Sequence, residues 1–146
     1  MFFAAAIAFC LICVGQPAFA DSLVGWGRPW ENQINVPDGN DFLATDAGSY
    51  HSLALKFDGS LVAWGDNDFG QTNVPDGNDF VAIAAGTFHS LALKSDGSLT
   101  GWGRNNYGQT NVPAGNNFTA IAAGHLHSLA LKSDGSVAAW GRNDEG

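Results

Sequence analysis

The chain has 146 residues, with 6 Lys and Arg against 14 Asp and Glu, so its net charge is −8 at pH 7, spread along the whole length. An acidic surface without a basic cluster repels phosphate backbones and argues against nucleic-acid partners. Glycine is abundant at 19 residues, no segment sustains a 3.6-residue apolar period, and the two cysteines, Cys10 and Cys13, sit in an apolar leader; few helices are expected, and a mature chain would have no disulfide and no thiolate metal site.

The leader comes first. Phe2 to Val14 is an unbroken apolar run of 13 residues, Gly15-Gln16-Pro17 interrupts it, and Ala18-Phe19-Ala20 forms an A-x-A site before Asp21. This pattern is a secretory signal peptide over residues 1–20, too short to span a bilayer. Its n-region has no Lys or Arg, and neither cysteine follows the small residue that a lipoprotein signal requires. Cleavage after Ala20 and export to the periplasm or medium are expected, with no membrane span in the mature chain.

From Ser22 onward the chain repeats itself. Trp26, Trp64, Trp102 and Trp140 are 38 residues apart, and so are Pro37, Pro75 and Pro113, His51, His89 and His127, and Gly59, Gly97 and Gly135. Between the copies that start at Trp64 and Trp102, 27 of 38 positions are identical, and between those that start at Trp26 and Trp64, 24 are, with no insertion. Residues 21–146 therefore divide into repeats 26–63, 64–101 and 102–139, a partial repeat 140–146, and an opening arm 22–27 that copies the end of a repeat.

Each repeat reads as β structure. Asp79 to Gly86 is a short strand apolar on both faces, so it should be sandwiched. His89 to Lys94, Ser95-Asp96-Gly97-Ser98 and Leu99 to Gly103 form a hairpin with Asp-Gly at its turn. The first arm places His89, Leu91 and Leu93 on one face and Ser90, Ala92 and Lys94 on the other, so a large face can fill the gap above a neighbour's small one. A polar loop, Arg104 to Gly108, leads to an extended piece, Gln109 to Val112, that stops at Pro113. Three strands and a short outer one predict a four-stranded antiparallel blade, and blades at this period predict an all-β propeller.

The pattern AAGxxHSLALKxDGSxxxWGxNxxGQ, present from Ala84 to Gln109 and nearly complete from Ala122 to Gly146, resembles the repeat of the regulator of chromosome condensation family. The phrasing Ala63-Trp64-Gly65 followed by Gly70-Gln71-Thr72-Asn73-Val74-Pro75 is similar to a bacterial secreted branch of that family, which includes a β-lactamase inhibitory protein. The resemblance covers Ser22 to Gly146 and implies a seven-bladed propeller around a central channel. It implies fold more firmly than activity. Residues 21–146 hold about three and a third repeats, whereas propellers close with roughly 4–8 blades. A fragment or truncated reading frame is expected, an open arc with an apolar blade face at each end.

Catalytic and metal chemistry find little support. His51, His89 and His127 recur beside serine in a strand arm, in most copies without Cys, Glu or a second His at ligand spacing (His125, two residues before His127, is the exception), so they read as framework residues with Trp64, Trp102 and Trp140. Adjacent strand residues face opposite ways, so His89 and Ser90 cannot form a nucleophile–base pair, and no G-x-S-x-G elbow is present. Asp66-Asn67-Asp68 lacks the distal glutamate of a calcium loop, and Asp38, Asp41, Asp76 and Asp79 read as turn and strand-end residues. Asn117-Phe118-Thr119 is a glycosylation sequon, relevant only in a eukaryotic secretory route. No cofactor is expected.

What varies between repeats is the better signal. One variable cluster follows Trp-Gly and the other precedes His-Ser; together they supply Trp30, Tyr50, Phe69, Phe88, Tyr107, Arg104 and His125 as partner-binding candidates. Aromatic anchors among polar groups are the composition of a protein-recognition surface. Phe69 and Tyr107 occupy one equivalent position, so packing under their own loops is the competing reading for them. The function that follows is a secreted, non-enzymatic protein-binding module for an extracellular or periplasmic partner. The family resemblance implies an inhibitor-like role. The alternative is a structural or adhesive repeat segment of a larger cell-surface protein.

Overall fold

The computed structural model describes residues 23–26 and 31–144. Nine strands follow in order: β1 (Phe42–Ala47), β2 (His51–Lys56), β3 (Leu61–Gly65), β4 (Phe80–Ala85), β5 (His89–Lys94), β6 (Leu99–Gly103), β7 (Phe118–Ala123), β8 (His127–Lys132) and β9 (Val137–Gly141). They form three antiparallel sheets, β1-β2-β3, β4-β5-β6 and β7-β8-β9, and the described residues contain no helix. Register repeats with the sequence: His51 faces Gly65, His89 faces Gly103 and His127 faces Gly141. Each first strand carries a bulge after its leading Phe, at Phe42, Phe80 and Phe118.

Large faces pack on small ones. Leu55 and Leu61 of the first sheet meet Phe80 and Ala92 of the second in one buried cluster, and Leu93 of the second meets Phe118 and Ala130 of the third in another. The core is thus a series of layers between sheets, and most of the hydrophobic driving force joins one repeat to the next.

The blades have three strands, not four. The expected outer strand is a run of turns: Gly70 N–H donates to Asn67 O, Asn73 N–H to Gly70 O and Val74 N–H to Thr72 O. With its donors used locally, this segment cannot extend a ladder. Its Gln71 carbonyl accepts instead from two side chains of the following sheet, Trp102 Nε1 (2.9 Å) and Ser90 Oγ (3.0 Å).

The first strands are also less enclosed than their apolar sequence suggests, because the bulge skips Val81 in the ladder and leaves it 50% exposed. The opening arm falls partly outside the described residues; residues 23–26 join no strand, and Trp26 is exposed. The leader lies wholly outside them. On the third sheet, Leu131 is 40% exposed where its equivalents Leu55 and Leu93 are 1% and 5%, since no described sheet covers that face.

The Asp-Gly turns tie repeats together as well. Gly59, Gly97 and Gly135 have φ of +82°, +82° and +84°. A Cβ on Gly59 would meet Asn78 O at 2.2 Å and one on Gly97 would meet Asn116 O at 2.2 Å, whereas one on Gly135 meets nothing within 4 Å. Phe80 N–H donates to Gly59 O and Phe118 N–H to Gly97 O, so the next strand starts from the turn itself. Gly135→Ala should therefore cost only the backbone strain of about 1–2 kcal/mol, while Gly97→Ala should cost distinctly more. Equal shifts in urea midpoint for the two variants would contradict this account of the turn.

Candidate aromatic rim and its supporting frame

The variable loops are carried by a buried polar frame. His51 Nε2 lies 2.9 Å from Ser90 Oγ and His89 Nε2 lies 3.0 Å from Ser128 Oγ. Each serine donates its hydroxyl proton to a glutamine carbonyl, Ser90 to Gln71 O at 3.0 Å and Ser128 to Gln109 O at 2.8 Å. Because that single proton is committed, the serine must accept from the histidine, which fixes a neutral Nε2–H tautomer in both rings. Trp64, Trp102 and Trp140 donate Nε1–H to the Gln33, Gln71 and Gln109 carbonyls at 2.8, 2.9 and 2.9 Å.

Each histidine ring lies on a glycine three residues upstream. A Cβ on Gly86 would come within 2.3 Å of His89 Cε1 and 2.7 Å of Gly124 O. His51 and His89 are fully buried. Burial pushes both imidazoles down to about 4; Asp66 offsets part of this at His51, while His51 and His127 reinforce it at His89. The serine that meets each histidine comes from the next repeat, not from the adjacent position. With its proton turned to a carbonyl and no solvent access, this pair is not a hydrolytic dyad. His127 has no described repeat beyond it and is exposed.

The loops that precede β2 and β5 and those that follow β3 and β6 lie at the same end of the sheets, and there the candidates meet. Tyr50 stacks on Phe88 with centroids 5.0 Å apart and planes at 12°, and Phe69 meets Phe88 edge-on at 5.2 Å and 66°. The Arg104 guanidinium lies 5.0 Å from the Phe69 centroid and 5.5 Å from that of Phe88. One repeat on, the Arg142 guanidinium lies 5.3 Å from the Tyr107 ring. Phe69 therefore packs against Phe88 of the loop before β5 and Arg104 of the loop after β6, not under its own loop, and Tyr107 meets Arg142 of the loop after β9. Phe69 and Tyr107 stay 43% and 41% exposed, and Tyr50 40%. Four side chains from three repeats thus form one continuous shelf.

The remaining candidates lie elsewhere. His125 is exposed and lines an open depression of roughly 430 Å³ with Ser49, Thr87 and Tyr50, beside the shelf and outside its stack. Ser49 Oγ and Thr87 Oγ1 are 3.1 Å apart. Trp30 lies outside the described residues. Asp41 and Asp79 pair with Lys56 and Lys94, both at 3.1 Å. Among the described residues no group of three or more His, Cys, Asp or Glu side chains is placed to hold a metal ion.

Two features escape a reading by residue type. Gln71 and Gln109 are fully buried, and Gln71 receives Phe69 N–H on Oε1 at 2.9 Å while donating Nε2–H to Asp66 Oδ2 at 2.9 Å. Asp46, where the other repeats have Ala84 and Ala122, accepts Ala85 N–H of the next repeat at 2.8 Å. The glutamine constant at 33, 71 and 109 was the available signal for the first, and the departure of Asp46 from Ala84 and Ala122 for the second.

The model of the regulator of chromosome condensation (RCC1) repeat matches residues 44–71, 80–109 and 118–146. No curated protein sequence matches the chain significantly. Among solved structures, Prp20p of Saccharomyces cerevisiae superposes with a TM-score of 0.68 at 25% identity, over 80% of this chain and 40% of that one. The same yeast RCC1 protein bound to Kap60 gives 0.67 at 26% identity, over 80% and 38%. The ectodomain of the Physcomitrella patens receptor kinase CR4 gives 0.67 at 25% identity, over 81% and 35%. The chain therefore spans well under half the length of these structures.

The buried histidines make stability depend on pH. A folded pKa near 4 against an ordinary 6.5 means that the native state binds fewer protons, so stability is full above pH 6.5, falls as pH drops through that value, and levels off below about 4. The loss reaches at most roughly 3 kcal/mol per histidine. The pH dependence of the urea midpoint should flatten between 6.5 and 4 in His89→Gln relative to wild type; parallel curves would refute it.

Proposed function

We propose, on the premise that this chain belongs to the regulator of chromosome condensation repeat family, that it is a non-enzymatic protein-binding module whose contact surface is the aromatic rim. The observation that carries this reading is the shelf of Tyr50, Phe88, Phe69 and Arg104. All four occupy positions that vary between otherwise constant repeats, and the three aromatics stay partly open to solvent despite stacking on one another. Rigid aromatics held on a frame bind at low entropic cost, and Tyr and Arg are the residue types that dominate interface energetics. Yeast Prp20 was solved bound to Kap60, and its binding to Gsp1p and histones is described, so protein partners are familiar to this scaffold. No helix among the described residues is long and apolar enough to cross a membrane.

The working location follows from the leader, whose apolar run and Ala18-Phe19-Ala20 site support export to the periplasm or medium. There the module would act by occupying the surface of an extracellular or periplasmic protein, in the manner of an inhibitor. The exported chain should begin at Asp21 by N-terminal mass spectrometry, and a chain that retains Met1 would refute export.

The rim itself is tested by capture. Immobilised full chain should retain a discrete protein from its own compartment, and Phe88→Ala, which removes the ring shared by Tyr50, Phe69 and Arg104, should weaken that capture by more than about tenfold with the β-sheet circular dichroism unchanged. Undiminished capture by a folded Phe88→Ala chain would remove the rim from consideration.

A further inference from the structure

We propose that the rim around Arg104 recognises a carboxylate carried by a protein partner, an aspartate or glutamate side chain laid on the Phe69–Phe88 shelf. This rests on the rim being the contact surface and names the chemistry it selects.

Comparison of equivalent positions carries the inference. The residue after Trp64-Gly65 is Asp66, whose carboxylate accepts from Gln71 Nε2 at 2.9 Å and from Asp68 N–H at 3.0 Å. One repeat on, Arg104 stands at that position. In the following copy the position is Arg142, and Asp144 two residues later pairs with its Nε. Asn106 stands where Asp144 does. The middle loop has therefore kept the donors and lost both carboxylates.

Two donors are left over there. Arg104 Nε and Gln109 Nε2 are both buried and make no hydrogen bond. Gln109 is fully buried, and its Oε1 is held by Tyr107 N–H at 2.9 Å, which fixes the amide and turns Nε2 to the side that meets Asp66 in the preceding repeat. Such donors are costly to leave unmade, and the acceptor that satisfies the equivalent amide within this chain is a carboxylate.

Arg104 makes no ion pair among the described residues, and the Phe69 and Phe88 rings hold its guanidinium in place. It is only half-buried although its Nε is enclosed, so the rest of the side chain meets solvent. A planar fork fixed on aromatic rings is suited to bidentate contact with a carboxylate. The net charge of −8 disfavours polyanions, so a single carboxylate beside an apolar group is the ligand that fits.

The test uses the slowly exchanging side-chain resonances of Arg104 Nε–H and Gln109 Nε2–H in the full chain. A blocked phenylalanyl-aspartate peptide should shift both saturably, and its phenylalanyl-asparagine counterpart should not. Arg104→Gln should weaken the peptide by at least roughly tenfold. Arg104→Asp, which supplies the carboxylate internally, should move the Gln109 resonance without peptide and abolish its response. No saturable shift, an equal shift with the asparagine peptide, or an unchanged response in a folded Arg104→Gln chain would overturn the site. Acetate or inorganic phosphate binding as tightly as the aspartate peptide would overturn its assignment to a protein segment. None of these results bears on whether Phe88→Ala loses capture, so the two readings fail separately.

Discussion

Everything in this molecule depends on one shared carbonyl per repeat. The Gln71 and Gln109 carbonyls each accept a tryptophan indole and a serine hydroxyl of the sheet that follows, and that serine also accepts from the histidine of the sheet before it. Three constant side chains thus close on a single buried carbonyl, in surroundings where an unmade hydrogen bond is expensive. Their positions set how closely consecutive sheets approach. The leucines of one sheet then find the alanine of the next at contact distance.

A frame with that much repetition makes neighbouring loops commensurate. Loops 38 residues apart in sequence come to lie side by side, so a ring placed in one is within stacking distance of a ring placed in the next. A recognition surface can then be assembled from residues that never approach one another in the chain. The buried histidines carry no accessible chemistry, yet they hold the loops that do.

Much of this was legible in the sequence. The 38-residue spacing of Trp64, His89 and Gly97 located the strands and the hairpin turn, because period-2 alternation and Asp-Gly are local signals. The alternation of large and small residues along His89 to Lys94 pointed to the packing of one face on the next. The segment 71–74 misled, since Gln71-Thr72-Asn73-Val74 ahead of a proline reads as an edge strand, whereas the chain there turns. What keeps it out of the sheet is the capture of its carbonyl by Trp102 and Ser90, groups 31 and 19 residues away. The partner of His51 was hidden for the same reason: it is Ser90, not the adjacent Ser52. Among the variable residues, type and position picked out Tyr50, Phe69, Phe88 and Arg104 one by one. Only the superposition of successive repeats revealed that they touch.

The large-on-small packing has a consequence for how such a chain comes to exist. Each repeat carries both halves of the junction, a histidine and leucine face on one side and a serine and alanine face on the other, so it is complementary to a copy of itself. A tandem duplication therefore delivers a unit that fits at once, without compensating change in its neighbours. Among the 27 positions shared by neighbouring repeats are all six residues of the central strand, His89 to Lys94, which carries both halves of the junction.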